Sequence, residues 1–345
     1  MLDYSAEDGW PTVSKRGWSA AEFRPADATY AFTPRQLDLL IELTGKTKAM
    51  GLAVTEITRD IFDHPELHDW LVGIVRAFKH GQGVVLLDGF PVSELGIEDI
   101  WRMYWGIGSH IGIGVSQNLH GHLMGQVMVQ PGVVGGRVYG TSVEAALHSD
   151  RTDVLSLLCI NRAKSGGENA FVSSLKVWDL IEAERPDILT LLKRGYPQHR
   201  NGEQAEGDSP VTPYRVPIFG DVAGLRSAYV GGNAMLNHQH QHFSEMLTDA
   251  DVEALEFLQS VIRRPELAVR QQLEPGQAVF INNHEMLHSR TAFEDWDEPE
   301  RRRRLLRMWL QGRPRRPYPA DMNILRNRSG NIGIEARSPQ PVVLA

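Results

Sequence analysis

The alternation of hydrophobic and polar residues divides the chain into a helical N-terminal part and a longer part made of short strands. Apolar residues recur at helical spacing in 34–50 and 65–80, which predicts two amphipathic helices. An apolar run between glycines at 83–89 predicts a buried strand, and 96–106 returns to a helical pattern. We therefore expect residues 1–82 to form a helical region that packs on the core.

From about residue 110, short apolar segments alternate with glycine, proline and asparagine breaks, a pattern typical of strands joined by turns. It predicts strands at 154–160, 170–173, 214–219, 225–230, 277–281 and 303–311, with a turn at 220–224. It also predicts helices at 175–184, 186–194 and 248–263, the last capped by Thr248.

Many short strands with few long helices favour a mainly β, α+β fold: a single β-sandwich domain with helical inserts. Residues 83–312 would form its core. The tail at 313–345 is rich in proline and arginine, and we expect it to wrap the surface.

Composition narrows the class of protein. Hydrophobic residues make up 42% of the chain and charged residues 23%, which suits a sizeable core and argues against disorder. The net charge of −7 disfavours a nucleic-acid partner. Cys159 is the only cysteine, so we expect a buried, inert thiol and no intramolecular disulfide. There is no long apolar window and no signal-peptide pattern, so we expect a cytoplasmic protein without a membrane partner.

One pair of residues has the spacing of metal ligands. His148 and Asp150 are two positions apart just before a predicted strand, so both side chains would lie on one face. His288 follows a later strand. Two histidines and one carboxylate on one face of an iron(II) ion leave coordination positions open for other ligands. Since the chain has 13 histidines, however, one His-x-Asp pair could occur by chance.

A competing motif overlaps the second histidine. His284, Glu285 and His288 match H-E-x-x-H, in which two histidines one helical turn apart bind zinc and the glutamate acts as general base. The motif follows a β-type run that ends in two asparagines, and its continuation is not an amphipathic helix. A zinc hydrolase is therefore kept as an alternative only.

The strand predicted at 303–311 favours the iron hypothesis. Arg303, Leu305, Arg307 and Trp309 alternate, so they share one face, and an arginine on a buried face requires an anion. A dicarboxylate would satisfy it through two parallel hydrogen bonds. The neighbouring arginines are interpreted as a solvated basic run: Arg301, Arg302 and Arg304.

Three stretches together resemble the taurine dioxygenase-like (TauD/TfdA) family of iron(II)- and 2-oxoglutarate-dependent oxygenases. They are the segment from His148 to Val154, the block 283–295 around His288, and the strand that contains Arg303. The resemblance implies a double-stranded β-helix (jelly-roll) core and the cofactors Fe(II), 2-oxoglutarate and O2. It also implies oxidation, most often hydroxylation, of a C–H bond in a small polar molecule such as an amino acid or organic acid, with release of succinate and CO2.

The resemblance also assigns roles to residues. His148, Asp150 and His288 would bind the metal, and Arg303 would bind 2-oxoglutarate. Many members have a threonine after a Gly-Gly pair, where this chain has Asn169, which could take over its hydrogen bond. Related halogenases have a small residue in place of Asp150, so the aspartate favours oxidation without halide.

Three assignments stay open. Arg307 could bind the substrate anion, contact 2-oxoglutarate or brace its strand. Gln117 and Asn118 are candidate substrate contacts, and the histidines of 238–242 could be a second metal site or a polar loop. We expect a small-molecule substrate and leave open a homo-oligomer and a non-catalytic jelly-roll binding protein.

Overall fold

The computed structural model describes residues 9–129, 140–231, 247–325, 332–337 and 339. The helices in these segments are α1 (Pro34–Ala49), α2 (Pro65–His80), α3 (Ile97–Ile111), α4 (Ser174–Glu184), α5 (Pro186–Arg194) and α6 (Asp249–Ile262). The strands are β1 (Thr29–Ala31), β2 (Val84–Asp88), β3 (Gly112–Gly114), β4 (Met124–Val127), β5 (Ala145–His148), β6 (Val154–Asn161), β7 (Ser165–Gly166), β8 (Asn169–Ser173), β9 (Phe219–Val222), β10 (Leu225–Ala228), β11 (Val269–Gln271), β12 (Gln277–Asn282), β13 (Met286–Arg290), β14 (Phe293–Glu294) and β15 (Arg304–Gly312).

Two sheets form the centre of the fold. The larger has the strand order β1-β2-β12-β6-β15-β3, with β4 also paired to β15, and the smaller has the order β11-β8-β13-β5. The pairs in both sheets are antiparallel, apart from the parallel pair β1–β2. Strand β1 lies in the region predicted to be purely helical. With three residues, this strand is too short for an alternation of apolar and polar positions to predict it.

Successive side chains of each strand point to opposite faces of its sheet, and this alternation divides the buried apolar residues into three hydrophobic clusters. The inner cluster lies between the sheets and contains Phe171 and Met286 from the smaller sheet with Leu305 and Trp309 from β15. The other side chains of β15 join α1, α2 and α3 on the outer face of the larger sheet. The outer face of the smaller sheet packs on α4, α5 and α6. Leu305 and Trp309 therefore share the inner face, as predicted.

Most predicted helices have the expected bounds because their ends carry local signals. Thr33 and Thr248 form capping boxes at the starts of α1 and α6. Gly195, with φ of 75°, follows the last turn of α5. Helix α3 continues five residues beyond its predicted end, to Ile111.

The predicted strand at 214–219 is wrong. The strand is β9, which begins at Phe219 and occupies part of the predicted turn. Ala223 and Gly224 have φ of 51° and 79°, and a two-residue turn with both φ positive is the kind that joins tight hairpins. Residues 214–218 contain one isolated bridge, between Val216 and Tyr196.

The described part of the C-terminal segment also differs from expectation, because several of its side chains are buried inside the fold instead of covering the surface. Its apolar side chains enter the inner cluster: Met322, Ile324, Leu325, Ile332 and Ile334. Arg316 is 2% exposed. Within the described residues, the helices are all too short or too polar to span a bilayer.

Candidate active site

The structure brings His148, Asp150 and His288 together. His148 ends β5 and lies directly opposite His288 of β13 in the strand register. One potential ligand atom from each of the three side chains lies within 4.8 Å of the others. His148 Nε2 is 3.5 Å from Asp150 Oδ1, and the two imidazole rings are 4.3 Å apart between centroids. Two imidazoles and one carboxylate in this arrangement suit a divalent iron ion.

Hydrogen bonds orient two of these side chains. His148 Nδ1 donates to the Ala146 carbonyl at 2.7 Å, so Nε2 keeps its lone pair for a metal. Asp150 Oδ2 accepts from Trp309 Nε1 at 2.9 Å, which leaves Oδ1 beside His148. The backbone N–H of Asp150 donates to Asn283 Oδ1 at 3.2 Å. The roles of Trp309 and Asn283 were not predicted, although alternation had placed Trp309 on the same face as Arg303.

The charges at the three residues suit cation binding. Burial lowers the pKa of His288 to about 3, with a further contribution from His148, so its imidazole is neutral. Burial alone would raise the pKa of Asp150, but the hydrogen bond with His148 and the charges of His148 and Arg307 hold it far below its usual value. Burial alone would lower the pKa of His148, but Asp150 raises it. A carboxylate anion beside two imidazoles is thus ready to take a cation in place of a proton.

Arg303 lies in a buried setting that suits an anion. Its side chain is on the inner face just before β15, the residue is 3% exposed, and Nη1 has no hydrogen-bond partner among the described residues. Its guanidinium carbon lies 5.1 Å from the centre of the Phe293 ring. Burial lowers the pKa of Arg303. Gly167 lies against it, since a Cβ there would be 3.3 Å from Arg303 Nε. Asn169, two residues further on, is 5% exposed at the start of β8.

Arg307 and Gln117 are bound to each other. Arg307 Nε donates to Gln117 Oε1 at 2.5 Å, and Gln117 Nε2 donates to the Arg307 carbonyl at 3.0 Å. Gln117 is fully buried, and these two hydrogen bonds fix the direction of Arg307. Asn118 Oδ1 accepts the backbone N–H groups of His120 and His122, so this amide shapes its own loop.

The H-E-x-x-H residues do not form a zinc site. They span the turn between β12 and β13 and the first part of β13, so the two histidines are not on a helix. His284 Nε2 is 2.8 Å from Asp153 Oδ1. Glu285 is ion-paired to Lys15 at 2.7 Å and to Arg316 at 3.3 Å. The negative charge of Glu285, the general base that the motif requires, is therefore balanced by Lys15 and Arg316. The other histidine segment, at 238–242, lies outside the described residues.

A cavity next to Asp150 is too small for an organic substrate. Its volume is about 30 Å³, and its lining includes Tyr229, His284 and Tyr318. A buried water needs roughly 10–15 Å³ of such space, so the cavity has room for about two waters.

Two packed, mainly antiparallel sheets, an inward-facing His-Asp-His group at the smaller sheet and a buried arginine just before β15 of the larger sheet define the class: non-haem iron oxygenases that use 2-oxoglutarate. The family comparison gives the same class. Residues 46–309 match the taurine catabolism dioxygenase TauD, TfdA family, and the chain belongs to this family.

One relative matches most of the chain, and another matches about half of it. It is 26% identical over 329 residues to FR-33289 synthase of Streptomyces rubellomurinus, covering 91% of this chain and 94% of that protein. It is 25% identical over 172 residues to the taurine hydroxylase-like protein SAT17 of Stachybotrys chartarum, covering 47% and 40%.

Solved structures share the fold. An asparagine oxygenase in complex with Fe(II), 2S,3S-3-hydroxyasparagine and succinate matches with a TM-score of 0.65 at 16% identity, over 82% of this chain and 93% of that one. The non-heme iron oxygenase OrfP with Fe and alpha-ketoglutaric acid matches with a TM-score of 0.60 at 13% identity, over the same shares.

Proposed function

We propose that His148, Asp150 and His288 bind iron(II), and that Arg303 and Asn169 bind 2-oxoglutarate. The convergence of the three ligand atoms within 4.8 Å carries this proposal. With both groups bound, the site would use O2 as the oxidant: one oxygen atom would enter succinate as 2-oxoglutarate loses CO2, and the other would be inserted into a substrate C–H bond.

The protein's own residues position and shield these groups. The Ala146 carbonyl fixes the tautomer of His148, and Trp309 holds one oxygen of Asp150 so that the other can face the metal. Burial of Arg303 excludes water and thereby strengthens its attraction for a carboxylate. Asn169 supplies an amide in place of the hydroxyl that many family members have.

We propose a small polar substrate that carries an anionic group bound by Arg307. The guanidinium carbon of Arg307 lies 5.2 Å from the centre of the Trp309 ring, and the N–H of this ring binds Asp150, which supports a position near the proposed metal ligands. Gln117 fixes its direction. Two of the similar structures contain hydroxylated amino acids, 2S,3S-3-hydroxyasparagine and (3S)-hydroxy-L-Arg, which supports an amino acid or a related organic acid.

We also propose that the chain acts as one domain. The N-terminal helices pack on the outer face of the larger sheet, and residues after 312 enter the inner cluster. The N-terminal helices and the residues after 312 therefore bury their apolar side chains against the 83–312 core.

The test is turnover of 2-oxoglutarate by purified protein supplied with iron(II) and ascorbate. Succinate should form slowly without substrate and faster when a library of amino and organic acids includes the true substrate. Asp150→Ala should abolish both rates, while Asp38→Ala, at an exposed position on α1, should leave them unchanged. Tight binding of zinc with loss of function only in Glu285→Ala would support the hydrolase alternative. Binding of a small molecule with no succinate in any condition would support the non-catalytic alternative.

A further inference from the structure

Arg290 is a buried cation on the same strand face as the proposed iron ligand His288. The two residues are two positions apart on β13, so their side chains point to one side of the sheet. Arg290 is directly opposite Asn169 in the pairing of β13 with β8. Two residues of strand separate the Cα atoms of His288 and Arg290 by about 6.6 Å, comparable with the length of an extended five-carbon diacid.

Arg290 and Arg303 flank the same aromatic ring. Their guanidinium carbons lie 4.7 and 5.1 Å from the centre of Phe293. Arg290 is 6% exposed and Arg303 3%. Two cations thus share one small buried region, although they come from different sheets.

Neither guanidinium has an acidic partner within the described part of the chain. Arg290 Nη2 donates to the Val143 carbonyl, while its buried Nε has no partner. Arg303 Nη1 is also buried without a partner. The carboxylate of Asp295 accepts the backbone N–H of Arg303 and does not pair with its guanidinium. Two buried, incompletely bonded guanidiniums are costly unless an anion joins them, and a carboxylate can accept from both.

We propose that Arg290 is a second guanidinium for the co-substrate, and that with Arg303 and Asn169 it binds the carboxylate of 2-oxoglutarate remote from the metal. This inference rests on the proposed function. It identifies a second cation, beside Arg303, by which the site would select a 2-oxo diacid over a 2-oxo monoacid. The adjacent Asn169 would then hold the same carboxylate from the opposite strand.

The test is anaerobic calorimetric titration of the iron(II)-loaded protein with 2-oxoglutarate and with 2-oxovalerate, which has the same carbon chain but no second carboxylate. Arg290→Gln should weaken 2-oxoglutarate binding about tenfold or more, the scale of a lost charged hydrogen bond, and leave the weak binding of 2-oxovalerate unchanged. Arg290→Lys should fall between, because it keeps the charge without the planar donor pair. Arg270→Gln is the matched control, since Arg270 lies exposed on β11, the edge strand of the same sheet.

Each outcome bears on a separate statement. Equal loss of both ligands in Arg290→Gln would indicate a general structural role and overturn the inference, as would unchanged 2-oxoglutarate affinity. A wild-type protein that binds iron(II) but not 2-oxoglutarate would overturn the proposed function itself. If Arg290→Gln does not fold, Arg290→Lys gives the same contrast between diacid and monoacid.

Discussion

The hydrogen bond from Trp309 to Asp150 gives a sharp test of how the protein controls its metal. Trp309→Phe keeps an aromatic ring between the sheets but removes the indole N–H that binds Asp150 Oδ2 at 2.9 Å. A hydrogen bond to a charged group contributes about 1.5–3 kcal/mol. Changing a residue that orients a ligand usually costs about tenfold to hundredfold in metal affinity. We expect the Kd for iron(II) to rise by that factor.

The matched control is Trp105→Phe. Trp105 is also buried, and its Nε1 donates to the Ile57 carbonyl at 2.9 Å, but it lies in the outer cluster. Both variants lose one indole N–H and the same volume, so we expect similar losses of unfolding free energy, about 1–3 kcal/mol. Iron(II) affinity should fall only in Trp309→Phe, measured anaerobically against a competing chelator. Equal iron affinity in wild type and Trp309→Phe, or a comparable loss in both variants, would refute the reasoning.

Three further outcomes follow from the buried charges and the glycine next to Arg303. Gly167→Ala should weaken 2-oxoglutarate binding in a titration, because the Cβ would be 3.3 Å from Arg303 Nε. Gly207→Ala has a similar positive φ but open space, so it should lose stability without losing affinity. Glu285→Gln should destabilise the fold by about 3–5 kcal/mol in urea unfolding, since it leaves Lys15 and Arg316 unpaired. Glu66→Gln, which breaks an exposed pair, should be near neutral. Burial alone would raise the pKa of Glu285, but Lys15 and Arg316 hold it below its ordinary value of 4.5. Wild-type stability should therefore fall as the pH drops below about 4.5, with a shallower dependence in Glu285→Gln; parallel profiles would contradict this. Burial raises the pKa of Cys159 to about 12, so its thiol should react with iodoacetamide at pH 8 only after denaturation; rapid labelling of the native protein would contradict this.

Local signals located the helices and the strand that follows Arg303, but they did not predict β5 and β13, the strands that carry His148 and His288. Capping threonines and terminal glycines fixed the helix ends, because they act through hydrogen bonds only a few residues long. Strand alternation put Arg303 and Arg307 on one face of a strand. The hairpin β9–β10 was shifted because its two-residue turn contains an alanine with positive φ, for which propensity gives no signal.

The sequence by itself predicted that His148 and Asp150 share one face, that His288 is not on a helix, and that Arg303 and Arg307 share a strand face. The strand around His288, β13, was not predicted. Only the tertiary structure decided what each of these groups contacts. Trp309 and Asp150 are 159 residues apart, and Gln117 and Arg307 are 190 apart. The hydrophobic periodicity of a single helix or strand carries no information about contacts between residues so far apart in the sequence. The burial of the C-terminal segment and the neutralisation of Glu285 by Lys15 and Arg316 were hidden for the same reason. Both features depend on which distant segments pack together. That packing is decided by the burial of apolar surface over the whole fold.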